Sequence, residues 1–221
     1  MRVLKGSSLG TMDAGELQAM RQAAGRVLID VGTGDARTAY RIARERPDWL
    51  VIGLDPAWRR MVPTAVRSRR KPAKGGVSNL VLVSAVIEEP PQELVGLADE
   101  LLVLMPWGKL LRGVVLGEAD VCGGLRAVAK AGATVDVTVG TSIWRDPVPL
   151  EIRDLPELTP EYARDVLSDR LAALGWRITA ADLVSSTAME RINSSWARRL
   201  GSGSAEVVMH LRAVAVPPAR E

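Results

Sequence analysis

The stretch Arg26-Val27-Leu28-Ile29-Asp30-Val31-Gly32-Thr33-Gly34-Asp35-Ala36 decides the fold. Its apolar run is short and nearly uninterrupted, the pattern of a strand covered on both faces. Two glycines one residue apart then let the chain turn sharply and let backbone amides approach a ligand where the next helix begins. Position 37 is arginine, so this is not a full G-x-G-x-x-G, and no Gly-Lys-Ser/Thr follows to make a phosphate-cradling P-loop. Alone, the two glycines are weak evidence. Their setting strengthens them, because a second apolar run, Leu50-Val51-Ile52-Gly53-Leu54, ends in Asp55, twenty-one residues after Gly34. A carboxylate there can accept hydrogen bonds from both ribose hydroxyls of an adenosine-containing ligand.

Outward from this stretch, short Val- and Ile-rich runs ended by turn residues alternate with helical segments. Strands are expected at Arg26–Val31, Leu50–Asp55, Asn79–Ala85, Glu100–Leu104 and Ala133–Val139, and helices around Ala36–Arg46, Ala57–Arg70 and Glu118–Ala131. Such alternation predicts βαβ units and a parallel sheet. Further on, Thr159-Pro160 reads as an N-cap with proline in the first turn. Ala163, Val166, Leu167, Leu171 and Leu174 mark one helical face, and Gly175 stops the helix. Strands at Arg177–Leu183 and Ala205–Ala215 close one edge. The expectation is an α/β, Rossmann-like fold, a seven-stranded mostly parallel sheet with helices on both faces, in a single domain over residues 1–221. Residues 1–25 form an N-terminal hairpin extension turning at Gly6-Ser7-Ser8. Residues 140–158 and 185–204 are insertions of a length that is often functional.

Composition narrows the class. Hydrophobic residues at 47% and charged residues at 25% suit a globular protein with a real core. No run of about 18 apolar residues supports a membrane span, and the first residues lack a secretory stretch. One cysteine, Cys122, and one histidine, His210, exclude a disulfide framework and the usual Cys/His zinc site. A cytoplasmic protein without metal or membrane is therefore expected, and a monomer is the working expectation. The net charge is only +3, but no acid lies between Asp55 and Glu88, where Arg59, Arg60, Arg67, Arg69, Arg70, Lys71 and Lys74 fall. Between Glu190 and Glu206, likewise acid-free, come Arg191, Arg198 and Arg199. Such concentrations suit a polyanion such as RNA; a solvated helix face with a basic loop is the alternative.

Asp30 stands at the mouth of the first strand, where a carboxylate can hold an amino acid's ammonium group. An acid before the glycines suits such a ligand better than a pyrophosphate, which favours S-adenosylmethionine over NAD. Capping of the strand ends is the bland reading of both aspartates. The third strand ends near Ile87-Glu88, where an adenine ring is usually met, although Glu88 also simply opens the loop into Pro90-Pro91. After the fourth strand comes Leu104-Met105-Pro106-Trp107-Gly108, which should face the methyl group, since ligands of open α/β sheets sit outside the carboxyl ends of the strands. A proline carbonyl can accept from an adenine amino group and an indole can stack on a base. A second tryptophan, Trp196, lies in Asn193-Ser194-Ser195-Trp196-Ala197-Arg198-Arg199. Enzymes that act on a base inside structured nucleic acid extrude it between aromatic or apolar faces, and stacking contributes about 1–3 kcal/mol per base. Each tryptophan also has a reading as a core or hinge residue. Cys122 lies on an apolar helix face, and His210 reads as structural.

These residues resemble a known family, the aminoglycoside-resistance methyltransferases that act on 16S ribosomal RNA. The branch resembled is the adenine-N1 one, the kanamycin–apramycin resistance enzymes of antibiotic producers. The resemblance is carried, in order over most of the chain, by Asp30-Val31-Gly32-Thr33-Gly34-Asp35, Lys71-Pro72-Ala73-Lys74-Gly75-Gly76, Leu104-Met105-Pro106-Trp107-Gly108 and Ser195-Trp196-Ala197-Arg198-Arg199-Leu200. It implies methylation of N1 of the decoding-site adenine, nucleotide 1408, within the assembled 30S subunit. It implies that Trp107 and Trp196 sandwich the flipped adenine, that the Pro106 carbonyl orients its amino group, and that Ser195 lies beside both cofactor and base. S-adenosylmethionine would be held by Asp30, Gly32, Thr33, Gly34, Asp55, Pro56, Ile87, Glu88, Leu104 and Ser195. Arg67, Arg69, Arg70, Lys71, Lys74, Arg198 and Arg199 would dock on RNA phosphates. Two departures stand out: Ala36 where many relatives have glycine, and a bulkier Val86-Ile87-Glu88 around the cofactor's adenine. Neutral adenine already offers a lone pair on N1, so positioning alone, which can contribute roughly 7–11 kcal/mol, can drive the step. A methyltransferase for another RNA site or a small molecule, or a non-catalytic RNA-binding protein on this fold, are the competing readings.

Overall fold

Each buried apolar run of the sequence becomes an inner strand, in a computed structural model that describes residues 1–185 and 207–216. β3 (Arg26–Val31) and β4 (Trp49–Leu54) lie side by side, parallel, in the register Ile29↔Ile52. Val27, Leu28, Ile29 and Val31 are all buried, so the run has no polar alternation to show. β5 (Leu80–Val83) flanks β4, while β6 (Ala98–Leu104) and β7 (Ala129–Gly140) extend the parallel block on the other side of β3. β8 (Trp176–Ser185) and β9 (Val207–Ala215) finish that edge antiparallel, β9 against β7.

The sheet has nine strands rather than the seven expected. β1 (Arg2–Lys5) and β2 (Ser8–Thr11) make the N-terminal hairpin, and β1 pairs with β5 at Val3↔Val83. Four residues per strand are too few for alternation to be read, yet Val3 and Leu4 are buried and Val3 joins the core. The full order is β2-β1-β5-β4-β3-β6-β7-β9-β8. Because β4 and β5 lie to one side of β3 and β6 and β7 to the other, a crevice opens outside their carboxyl ends, where such sheets bind ligands.

Helices cover both faces. α2 (Arg37–Glu45) turns Ala39 and Ala43 onto Leu28, Val51 and Leu102. α5 (Ala119–Val128) brings Cys122, Leu125 and Val128 to the opposite face beside Ile29, Leu101 and Val135. α1 (Ala14–Ala23) is fixed by a capping box between Asp13 and Glu16.

The helix expected over Glu118–Ala131 ends at Val128, and β7 begins at Ala129; four further features differ from expectation. Ala36 does not begin α2 but caps it in the left-handed region at φ +59°. The helix expected over Ala57–Arg70 is a 3₁₀ turn, Trp58–Met61, followed by the short α3 (Val62–Ser68). The Asp55 side chain accepts the Ala57 N–H at 2.7 Å, an Asx-type turn that competes with a helical start. α4 (Gly108–Leu116) is a helix the sequence hid, because Gly113 interrupts it. A Cβ at Gly113 would lie 2.3 Å from Val121 of α5, so the glycine is needed for packing. In the last helical stretch, α6 (Pro160–Tyr162) and α7 (Ser168–Ala173) flank a π-helical turn, Ala163–Leu167. The inserted residue leaves Val166 36% exposed while Ala163, Leu167 and Leu171 are buried.

Candidate active site and its basic rim

A cavity of about 680 Å³ opens at the carboxyl ends of β3, β4 and β6, within the range of small-molecule sites. Its floor is the quoted glycine turn. Gly32 and Gly34 sit at φ +70° and +62°, where a side chain is disfavoured. A Cβ on Gly32 would meet Leu110 at 2.6 Å, whereas one on Gly34 would meet no protein atom within 4 Å. Open space over a left-handed glycine leaves room for a ligand against the backbone. Ala36 adopts the same left-handed geometry, which accounts for glycine being at home there.

Two carboxylates frame this floor. Asp30, 2% exposed, accepts from Thr33 Oγ1 at 2.6 Å, and no described cation lies within ion-pair distance of it. Burial pushes its pKa up to about 7; the Thr33 hydrogen bond opposes that, and the charges of Asp55 and Asp35 add to it. Asp55 is anchored instead: its oxygens accept the N–H groups of Gly34 at 2.9 Å and Ala57 at 2.7 Å. Each oxygen keeps a second lone pair for a further donor. Pro56 lines the wall next to it.

The far wall comes from Val86, the buried Ile87 and Glu88 after β5, and from Leu104 at the end of β6 with Met105, Pro106 and Trp107 beyond it. Met105 continues the ladder by donating to the Thr138 carbonyl at 2.8 Å, yet its φ is +47°, an uncommon state for a non-glycine residue. With Gly108 at φ +56°, the kinked turn stands Trp107 at the head of α4, 51% exposed on the cavity rim. Its indole thus offers a large apolar ring at the cavity mouth. Half exposed, Trp107 is not a core residue.

The basic run starts at the same rim. Arg60 lines the cavity and Thr64 Oγ1 donates to the Asp35 carbonyl at 2.7 Å, tying the head of α3 to the glycine turn. Arg67, Arg69, Arg70, Lys71 and Lys74 are all exposed. The loop holding them is closed on itself: Gly76 N–H donates to Lys71 and Val77 N–H to Ser68, while Tyr40 Oη donates to the Gly75 carbonyl at 2.5 Å. A Cβ on Gly76 would lie 1.7 Å from the Arg70 carbonyl oxygen, so Lys71–Gly76 closes only with glycine there. The Arg67 guanidinium lies 4.9 Å from the Tyr40 ring, fixing one of the five cations on α2.

With this geometry in view, the family model of NpmA, 16S rRNA (adenine(1408)-N(1))-methyltransferase, matches residues 2–215. This chain belongs to that family. A 16S rRNA (adenine(1408)-N(1))-methyltransferase from Streptoalloteichus hindustanus is 38% identical over 203 residues, covering 91% of this chain and 93% of its own. One from Escherichia coli is 32% identical, over 92% of this chain and 93% of its own. Among solved structures, a tryptophan-to-alanine variant of the Catenulisporales acidiphilia enzyme with cosubstrate S-adenosylmethionine is 61% identical. It covers 100% of this chain and 99% of its own, at a TM-score of 0.93. The 16S rRNA methyltransferase KamB matches at 36% identity and TM-score 0.89, over 98% and 100% of the two chains.

Two polar groups away from the cavity, Asp136 with its partners and Cys122, serve the fold. His210 Nε2 lies 2.7 Å from Asp136 Oδ1, and Arg212 donates to both Asp136 oxygens at 2.9 and 3.0 Å. Burial opposes ionisation of Asp136, but the His210 and Arg212 hydrogen bonds outweigh it and hold its pKa below the ordinary value. Burial pushes the Cys122 thiol up to about 12, so it is no nucleophile. Among the described residues no group of three or more His, Cys, Asp or Glu side chains is placed to hold a metal. No helix among them is long and apolar enough to cross a membrane. Ser195, Trp196, Arg198, Arg199 and most of the 185–204 insertion lie outside the described residues. Sequence reasoning missed Thr38, Arg60, Lys109, Ser142 and Ile143, which also line the cavity. Ser142 and Ile143 come from the 3₁₀ turn Thr141–Trp144 at the start of the 140–158 insertion, whose length was the one signal available.

Proposed function

We propose that this chain transfers the methyl group of S-adenosylmethionine to N1 of adenine 1408 of 16S rRNA within the assembled 30S subunit, giving aminoglycoside resistance. Family membership supports the reaction, and one observation carries the site: a buried, cation-free carboxyl at the base of a cavity whose rim presents a half-exposed indole. The residues fit the cofactor. Asp30 lacks a cation, which an amino acid's ammonium supplies. Asp55 is fixed with lone pairs left for ribose hydroxyls, and Gly34 leaves the backbone bare. Thr33 holds Asp30, Gly32 and Pro56 shape the floor, and Ile87, Glu88 and Leu104 enclose the base end.

Bound S-adenosylmethionine supplies a methyl group on a sulfonium. Every other element of the step belongs to the chain. Trp107 stacks on the extruded adenine, with Trp196 on its other face. The Pro106 carbonyl accepts from the 6-amino group and so turns N1 inward, and Ser195 borders both ligands. N1 would attack the methyl carbon with its own lone pair as the carbon–sulfur bond breaks; neutral S-adenosylhomocysteine would leave and the adenine would take the positive charge, so no side chain must remove a proton. Alignment is the work of the site. Arg67, Arg69, Arg70, Lys71 and Lys74, with Arg198 and Arg199, engage rRNA phosphates, and one copy of the chain is the docking unit, with no metal required. Reverse transcription on treated 30S subunits is expected to stop at adenine 1408. Read-through there, with methyl groups incorporated elsewhere, would favour another RNA target.

A further inference from the structure

Lys109 lies on the wall of the cavity, in the first turn of α4 and two residues beyond Trp107. Its ammonium sits 2.7 Å from Asp120 Oδ2 at the head of α5 and 3.4 Å from Glu88 Oε1. Glu88 is the more enclosed partner, with 14% of its side chain exposed, and it too lines the cavity. The loop carrying Glu88 is pressed onto α5: Gly124 faces the Ile87 carbonyl so closely that a Cβ would lie 1.8 Å from its oxygen. Three segments thus meet at one ammonium, the loop after β5, the head of α4 and the head of α5.

A carboxylate on a pocket wall is free to rotate and can turn either oxygen to a ligand. Lys109 removes that freedom by engaging Oε1, and it offsets the charge that Glu88 would otherwise add to Asp30, Asp35 and Asp55 around the cavity. Asp120 in turn keeps Lys109 from swinging into solvent, since its Oδ1 is held by the Val121 N–H at 2.7 Å while Oδ2 takes the ammonium.

We propose that Lys109 is a positioning residue for the cofactor's base, holding Glu88 so that Oε2 accepts from the exocyclic amine of a 6-aminopurine. This rests on the reading of the cavity as the S-adenosylmethionine site, with its base end at Ile87-Glu88. Lys109 touches the ligand through Glu88, and its effect is selectivity for the amine rather than bulk affinity.

The test is calorimetric binding of S-adenosylhomocysteine and of its analogue with an unsubstituted purine, which lacks only the amine. The native chain is expected to prefer the amine-bearing ligand by about tenfold or more, the worth of a charge-assisted hydrogen bond. Lys109→Met is expected to reduce that preference to threefold or less, Asp120→Asn to reduce it part of the way, and Lys109→Arg to restore it. A merely structural lysine would weaken both ligands equally and leave the ratio unchanged, which overturns the proposal while leaving the cofactor site standing. Equal native affinity for the two ligands also overturns it alone. Failure of the native chain to bind either ligand overturns the cofactor reading as well.

Discussion

Asp30→Asn should make the ligand-free protein more stable and worse at binding its cofactor, in a way that depends on pH. Moving a carboxyl from its ordinary 3.8 to about 7 disfavours the ionised folded state by roughly 4 kcal/mol. The sign follows from proton counting. Between pH 3.8 and 7 the folded state holds a proton that the unfolded chain has released, so rising pH lowers stability over that window. The penalty is complete above pH 7 and absent below 3.8. Asparagine keeps an oxygen for the Thr33 hydroxyl and carries no charge, so it escapes the penalty. Allowing for relaxation around the site, about 2–4 kcal/mol should appear at pH 8, a rise in Tm of roughly 5–15 °C for a chain of this size. Near pH 4 the two proteins should unfold together. Scanning calorimetry at pH 4, 6 and 8 measures this, and titration at pH 8 should find S-adenosylmethionine binding largely lost. In the native protein, affinity should fall by up to tenfold for each pH step below about 7, as Asp30 must release its proton to receive an ammonium. If Asp30→Asn were less stable at pH 8, or if the difference were flat with pH, the carboxyl would have a cationic partner in the fold and the ligand argument would lose its base.

Trp107→Ala should leave Tm within a degree or two, since the indole is half exposed, and cut methylation about 5- to 150-fold, the equivalent of one stacked base at about 1–3 kcal/mol; unchanged turnover would remove the platform. Gly34→Ala places a methyl in the open space over the turn at φ +62°, so cofactor affinity should drop at least tenfold while strain destabilises by about 1–2 kcal/mol. Unaltered binding there would mean that no ligand approaches that backbone. Replacing Lys71 and Lys74 together by glutamate should weaken 30S binding and flatten its dependence on salt concentration. A loss that is the same at every salt concentration would mean the loop had unfolded instead.

What the sequence disclosed was whatever one segment states by itself. Asp30 and Asp55 could be placed because each ends an apolar run that can only be an inner strand, and strand ends in a parallel sheet share one crevice. Trp107 could be placed because it follows the next such run. What stayed hidden depends on segments meeting. The N-terminal hairpin was legible, but not that β1 would pair with β5 at Val3↔Val83 and so add two strands to the sheet. α4 carries a mid-helix glycine that makes sense only beside Val121 of α5. The break between Asp55 and α3 follows from a side chain capturing its own backbone. Lys109 is an ordinary surface lysine in sequence, and its value comes from two carboxylates on other elements.

The most direct test is a crystal structure of the chain with S-adenosylmethionine bound. The ammonium nitrogen is expected about 3 Å from the Asp30 carboxylate, with the ribose hydroxyls on Asp55 and the methyl group turned toward Trp107. A cofactor seated away from both aspartates, or one whose methyl group points away from that indole, would contradict the account.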